Sequence, residues 1–296
     1  MKDGMNFLKA ADGFLGLDDS SLAEYDSAEV VVQQLPYERT SSYVQGSKDG
    51  PAAIIQASAY VEFYDEELGN EPCRRGIATQ ESLDFEDLDG GQAMERIRAN
   101  TTEHLSNEKF VVSLGAEHTV TYGIYKAYRE KFPNMSILQI DAHADLRDSY
   151  QGDVLSHACV MARINHYAPP ICQVGVRALC KEEAELIERS DNIHTFFAHQ
   201  LRDPKLIDKI LNSLGEDVYI TVDADGFDPS VMPAAGTIEP GGLLWFDALD
   251  IFREVCKKKN VVGFDIVECA PRPGDVQTQY NLAQLAYKLI GFSLTK

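Results

Sequence analysis

Two acidic clusters stand where apolar runs end. The first is Asp141-Ala142-His143-Ala144-Asp145, directly after Met135-Ser136-Ile137-Leu138-Gln139-Ile140. The second is Asp223-Ala224-Asp225, after Val218-Tyr219-Ile220-Thr221-Val222. Carboxylates at the margin of an apolar core are costly unless something neutralises them. A pair of divalent cations would do so, and two-metal sites activate water for hydrolysis. The i, i+2, i+4 spacing of Asp141, His143 and Asp145 puts all three on one side of an extended segment, and Asp223 and Asp225 share a side for the same reason. Two further strand ends carry candidates: His118 in Gly115-Ala116-Glu117-His118, and Glu268 after residues 261–267. Two imidazoles and four aspartates suffice for two cations, because carboxylates can bridge. Oxygen and imidazole donors without thiolate suit manganese, and less exclusively zinc, cobalt, nickel or iron. Calcium would not favour the imidazoles. Taken singly, a D-x-D pair also caps helices or lines solvated turns; the convergence of four strand ends is the stronger signal. The other histidines, His104, His166, His194 and His199, lie in polar or helical contexts and read as surface or hydrogen-bonded residues.

Something must bring those strand ends together. Short apolar runs alternate with amphipathic, helix-length segments along the whole chain. The runs predict strands over 29–34, 110–114, 135–140, 171–176, 218–222 and 261–267. Helices are predicted over 51–64, 92–105, 119–131, 156–164, 181–190, 204–214, 245–257 and 279–290. Such alternation implies parallel βαβ units with helices on both faces of one sheet. Ligands of such folds collect beyond the carboxyl ends of the strands. The acidic, weakly periodic stretch 65–88 reads as an irregular excursion.

The chain has 296 residues and a net charge of −20. No basic footprint for nucleic acid is visible, and no apolar run approaches a membrane span. The N-terminus lacks the apolar core of a secretory leader. Six cysteines, at 73, 159, 172, 180, 256 and 269, form no CxxC pair. That argues against a zinc ribbon or a disulfide framework and for a reducing, cytoplasmic setting. The acidity serves solubility, or draws in a cationic substrate.

With these residues in place, the chain resembles the ureohydrolases, the arginase and agmatinase family, and most of all bacterial or archaeal agmatinases. The family pattern G-G-[DE]-H is matched by Gly115-Ala116-Glu117-His118, with Ala116 in place of glycine. D-A-H-x-D is intact at 141–145. The pattern [ST]-x-D-x-D-x-x-D-P is matched by Thr221-Val222-Asp223-Ala224-Asp225-Gly226-Phe227-Asp228-Pro229. The loop from Pro233 to Leu243 resembles the family's Gly-Thr and Gly-Gly turn. The resemblance implies one three-layer α/β/α domain over residues 1–296 with a central parallel sheet, of arginase-deacetylase type. It implies two Mn2+ ions per subunit, one held by His118, Asp141, Asp145 and Asp223, the other by His143, Asp141, Asp223 and Asp225. It further implies Glu268 as receiver of a guanidinium, His157 as a proton shuttle, and a homo-oligomer, trimer or hexamer.

The chemistry fits those roles. Attack on a guanidinium carbon gives a tetrahedral species that must lose an amine, and Asp145 is the natural carrier of the proton it needs. Glu268 offers a planar carboxylate to a planar cation. Arginases hold the amino-acid head of their substrate with an Asn- and Ser-rich loop, which Leu146-Arg147-Asp148-Ser149-Tyr150-Gln151-Gly152-Asp153-Val154-Leu155 does not resemble. Where arginases place an aspartate for the α-ammonium, this chain has Cys180. The expected reaction is therefore hydrolysis of agmatine to putrescine and urea, in polyamine synthesis. Two alternatives stand beside it: another guanidine hydrolase, acting on aminopropylagmatine, guanidinobutyrate or arginine, or a metal-binding member that has lost catalysis.

Overall fold

The computed structural model describes residues 5–295. Residues 1–4, part of the segment read above for a leader, and residue 296 lie outside the described residues. One eight-stranded sheet forms the centre, with every neighbouring pair parallel. Its strands are β1 (Val30–Leu35), β2 (Ile77–Thr79), β3 (Phe110–Gly115), β4 (Ser136–Ile140), β5 (Ile171–Val176), β6 (Ile193–Phe197), β7 (Asp217–Asp223) and β8 (Asn260–Val267). Their order across the sheet is β2-β1-β3-β8-β7-β4-β5-β6.

Side chains alternate between the two faces along each strand. Val30, Val32, Leu114, Ile220 and Val222 join one buried cluster with α1 (Gly50–Ser58), α6 (Leu206–Ser213), α7 (Trp245–Lys258) and α8 (Gln277–Leu294). Val31, Leu35, Val111, Ile137 and Tyr219 join the other with α2 (Gly90–Ser106), α3 (Val120–Lys131) and α4 (Val160–Asn165). A further helix, α5 (Lys181–Arg189), lies before β6. Burial on both faces explains why the central strands read as continuous apolar runs, and the three layers are those the sequence implied.

Several boundaries differ from expectation. β2 lies inside the supposed excursion; its three residues are too short to show a period, and pairing of Val30 with Ile77 recruits them. β6 went unpredicted because it is a half-buried edge strand carrying His194 and Thr195. The first helix stops at Ser58, whose hydroxyl donates to Ile55 O (2.6 Å) and accepts from Leu15 N (2.8 Å). The segment expected to be helical from 156 begins as a 3-10 turn, His157–Cys159, before α4.

Candidate metal centre and active site

The strands that carry the candidate residues are neighbours: β3, β8, β7 and β4 lie side by side in that order. Their carboxyl ends therefore open at one place. His118, Asp141, Asp145, Asp223, Asp225 and Glu268 are all buried there, and His143 is half-buried.

His118 Nδ1 lies 3.1 Å from Asp141 Oδ2, 3.0 Å from Asp145 Oδ2 and 3.6 Å from Asp223 Oδ2. Its other nitrogen, Nε2, is 2.9 Å from Thr221 Oγ1. That hydroxyl donates to Asp265 Oδ1 (2.6 Å), so it must accept from Nε2–H. In the neutral ring Nδ1 then turns a lone pair toward three carboxylates, and it has no hydrogen-bond partner. Only a proton or another cation between them makes this arrangement favourable. The second imidazole repeats the pattern: His143 Nδ1 lies 3.2 Å from Asp225 Oδ2 and 3.6 Å from Asp141 Oδ1. Two donor groups result, His118–Asp141–Asp145 and Asp141–His143–Asp225, and they share Asp141. Asp223 falls in neither group, although its Oδ2 faces His118.

Local geometry corrects the extended picture read from spacing. Asp225 sits in a 3-10 turn, Ala224–Gly226, and its N–H donates to Asp223 Oδ1 (2.9 Å). That turn packs on the end of β4, where a Cβ on Gly226 would lie 2.7 Å from Asp141 N. Asp145 and Glu268 both take left-handed backbone conformations, with φ of 52° and 62°. For residues other than glycine such conformations cluster at functional sites. Ala116, which departs from the family's glycine, has no positive φ, and its methyl is accommodated in the core.

The electrostatics follow from crowding. Burial, then the charge of Asp141, pushes Asp145 up to about 7. Burial, then Asp225 and Asp141, raises Asp223 well above the carboxylate range, and burial followed by Glu117 does so for Glu268. Burial also works against the charge of Asp141, but hydrogen bonds from His118 and His143 outweigh it and hold that carboxyl low.

A cavity of about 210 Å³ opens above this floor. Ser42, Arg147, Tyr150, His157, Ala158, Thr237 and Glu268 line it beside the donor groups. Glu268 Oε1 accepts the backbone N–H of His118 (2.7 Å), while Gly236 packs against Oε2. His157 is held neutral, down to about 4, chiefly by burial. Cys180 does not line the cavity; it caps α5, where its N–H donates to Glu183 Oε2 (2.7 Å). Every candidate residue named from the sequence is thus brought to one place. Spacing did not reveal Ser42, Tyr150, Thr237 or Arg147, because each reaches the cavity from an irregular loop.

Fold and donor set together define an α/β hydrolase of the two-metal kind. The sequence matches the Arginase family over residues 28–291. It is 40% identical over 284 residues to the N(1)-aminopropylagmatine ureohydrolase of Synechocystis sp., covering 93% of this chain and 92% of that one. It is 33% identical to the agmatinase of Bacillus cereus, covering 83% of this chain and 85% of the other. The crystal structure of agmatine ureohydrolase from Thermoplasma volcanium superposes with a TM-score of 0.82 at 29% identity, over 94% of both chains. The chain belongs to the arginase family, whose members depend on a binuclear metal centre, and it is a guanidine hydrolase of that family.

Proposed function

We propose that the protein hydrolyses the guanidino group of a guanidino-amine lacking an α-carboxylate, releasing urea. N(1)-aminopropylagmatine is our first candidate, since the relative bearing that name is 40% identical against 33% for an agmatinase. Agmatine, expected from the loop after Asp145, is the second. The observation that carries the hydrolytic assignment is the buried Nδ1 lone pair of His118 among three carboxylates, with Glu268 on the same floor. These residues fit a pair of divalent cations. His118, Asp141, Asp145 and Asp223 would hold one and His143, Asp141, Asp223 and Asp225 the other, with Asp141 and Asp223 shared; manganese suits the donor set. When bound, the cations supply a water acidic enough to ionise at neutral pH.

The chain's own residues do the rest. Glu268 pairs its free oxygen with the guanidinium and orients the carbon. Asp145, pushed up to about 7, can take a proton near neutrality and give it to the departing nitrogen. His157, neutral at the mouth, exchanges protons with bulk water. The absence of an arginase-type loop, and the engagement of Cys180 in capping a helix, support a substrate without the amino-acid head. We further expect a cytoplasmic homo-oligomer, trimer or hexamer; the unpaired cysteines support a reducing setting. The test is urea release by manganese-loaded protein from N(1)-aminopropylagmatine, agmatine, guanidinobutyrate and arginine. We expect kcat/KM highest for the first and lowest for arginine. No urea from any of the four would leave a binding role in place of catalysis.

A further inference from the structure

The segment after Tyr37 folds over the mouth of the cavity. Glu38 closes it on itself, accepting the N–H groups of Gly46 (2.8 Å) and Lys48 (3.2 Å). Glu117 fastens its start. The Oε2 of Glu117 accepts from Arg39 N (2.9 Å), Thr40 N (2.7 Å) and Thr40 Oγ1 (3.1 Å). Thr40 Oγ1 in turn lies 3.0 Å from both the backbone nitrogen and Nδ1 of His157.

A hydroxyl has one proton and two lone pairs. The His157 backbone N–H can only donate, so it occupies one lone pair. The Thr40 proton goes to Glu117, since a carboxylate is a stronger acceptor than an imidazole nitrogen. Nδ1 must then donate into the second lone pair. Nε2 is left bare, near Ser42 Oγ at 3.5 Å. The edge-on ring of Tyr150, 5.9 Å away, flanks the imidazole.

We infer that Thr40, fixed by Glu117, is the positioning residue that selects the His157 tautomer and leaves Nε2 as the atom that gains and loses the proton. The network is unchanged by the transfer: in the imidazolium, Nδ1 still donates to Thr40, so no hydrogen bond breaks as Nε2 cycles. It also gives Glu117, between the turn and His118, a task of its own. Its backbone N–H donates to Tyr37 O (3.2 Å) while its side chain holds Thr40, so the end of β3 sets the loop that sets the ring.

The kinetic consequence rests on the shuttle role proposed above; the tautomer does not. Thr40→Val removes the hydroxyl and keeps the shape, and Thr40→Ser restores it. In zinc-loaded, diamagnetic enzyme with 15N-labelled histidine, NMR should find His157 protonated at Nδ1 in the parent and in Thr40→Ser, and at Nε2 in Thr40→Val. In manganese-loaded enzyme, Thr40→Val should lower kcat roughly 10- to 100-fold, the size typical of an outer-shell partner, with KM and metal content unchanged. Thr40→Ser should recover most of that rate. In a His157→Ala background, Thr40→Val should bring no further loss. An unchanged tautomer in Thr40→Val, or losses that multiply with His157→Ala, would overturn the inference. A normal kcat in His157→Ala with the tautomer shift intact would sink the shuttle role and leave the control of the ring by Thr40 standing.

Discussion

Asp141 is where the two donor groups meet: Oδ2 faces His118, and Oδ1 faces His143 while accepting its N–H (2.6 Å). Asp225 reaches only the His143 side, where Thr237 Oγ1 holds it at 3.0 Å. Asp141→Ala should therefore lose both metals, and Asp225→Ala mainly one, by elemental analysis of dialysed protein. Two tightly held metals in Asp141→Ala would contradict the shared position. Glu268 has a different task. Its substrate is cationic before attack, so its charge counts in both ground and transition states. Glu268→Gln keeps the shape and removes the charge; KM should rise and kcat fall together in steady-state assays. A change confined to either constant would mean that Glu268 does not orient the guanidinium. The types of these residues were legible in the sequence. Their conformations were not: the left-handed turns at Asp145 and Glu268 are imposed by packing, since neither residue prefers positive φ.

At the scale of elements, a polar row runs across the sheet beneath the metal ligands. Gln33, Ser113, Asp265, Thr221, Gln139, Gln173 and Thr195, one from each of seven adjacent strands, stand in register. They point to the α2–α4 face. Thr221 fixes the His118 tautomer, and Tyr219 OH donates to Asp265 Oδ2 (2.8 Å). On the other side the donors all point one way. Thr195 Oγ1 donates to Gln173 Oε1 (2.8 Å), Gln173 Nε2 to Gln139 Oε1 (2.6 Å), and Gln139 Nε2 to Asp141 Oδ2 (2.7 Å). Gln139→Leu should weaken metal binding by about 10- to 100-fold, as outer-shell losses do, while far-UV circular dichroism stays unchanged. An unaltered metal titration would make the row a matter of packing alone. Strand periodicity hid this row, because a single polar residue in an apolar run reads as a tolerated exception. Its meaning lies in register, which pairs residues distant in sequence.

At the scale of the molecule, the metal-free protein holds its acidic floor together with protons. The charges of Asp225 and Asp141, outweighing burial, push His143 from 6.5 up to about 12; Asp141 and Asp145 likewise raise His118 against its burial. Above the unfolded value of 6.5, the folded chain therefore keeps protons that the unfolded chain releases. This contribution is full below 6.5 and is lost as pH rises toward 12. Asp223 and Glu268, raised by burial, slope the same way from a lower starting point. Thermal unfolding of chelated protein should move to lower Tm between about pH 7 and about pH 9. Metal-loaded protein should lack that slope, since a bound cation replaces the imidazole protons, and should instead lose stability toward acid. A chelated Tm that rises over the alkaline range would refute the proton-held floor.

The amino-acid sequence by itself determined the strand–helix alternation, the residue types of the donor set and their places at strand ends, because these are local matters of period and side-chain chemistry. It carried the family, since D-A-H-x-D and its companions are long and ordered. Tertiary structure alone decided that β3, β8, β7 and β4 are neighbours, which brings residues 118, 141 and 268 to one floor. It recruited β2 and β6 by pairing rather than propensity. It also folded the segment around Thr40 over the mouth, through a carboxylate far along the chain at Glu117. Those outcomes depend on which surfaces meet, and no window of local sequence records that.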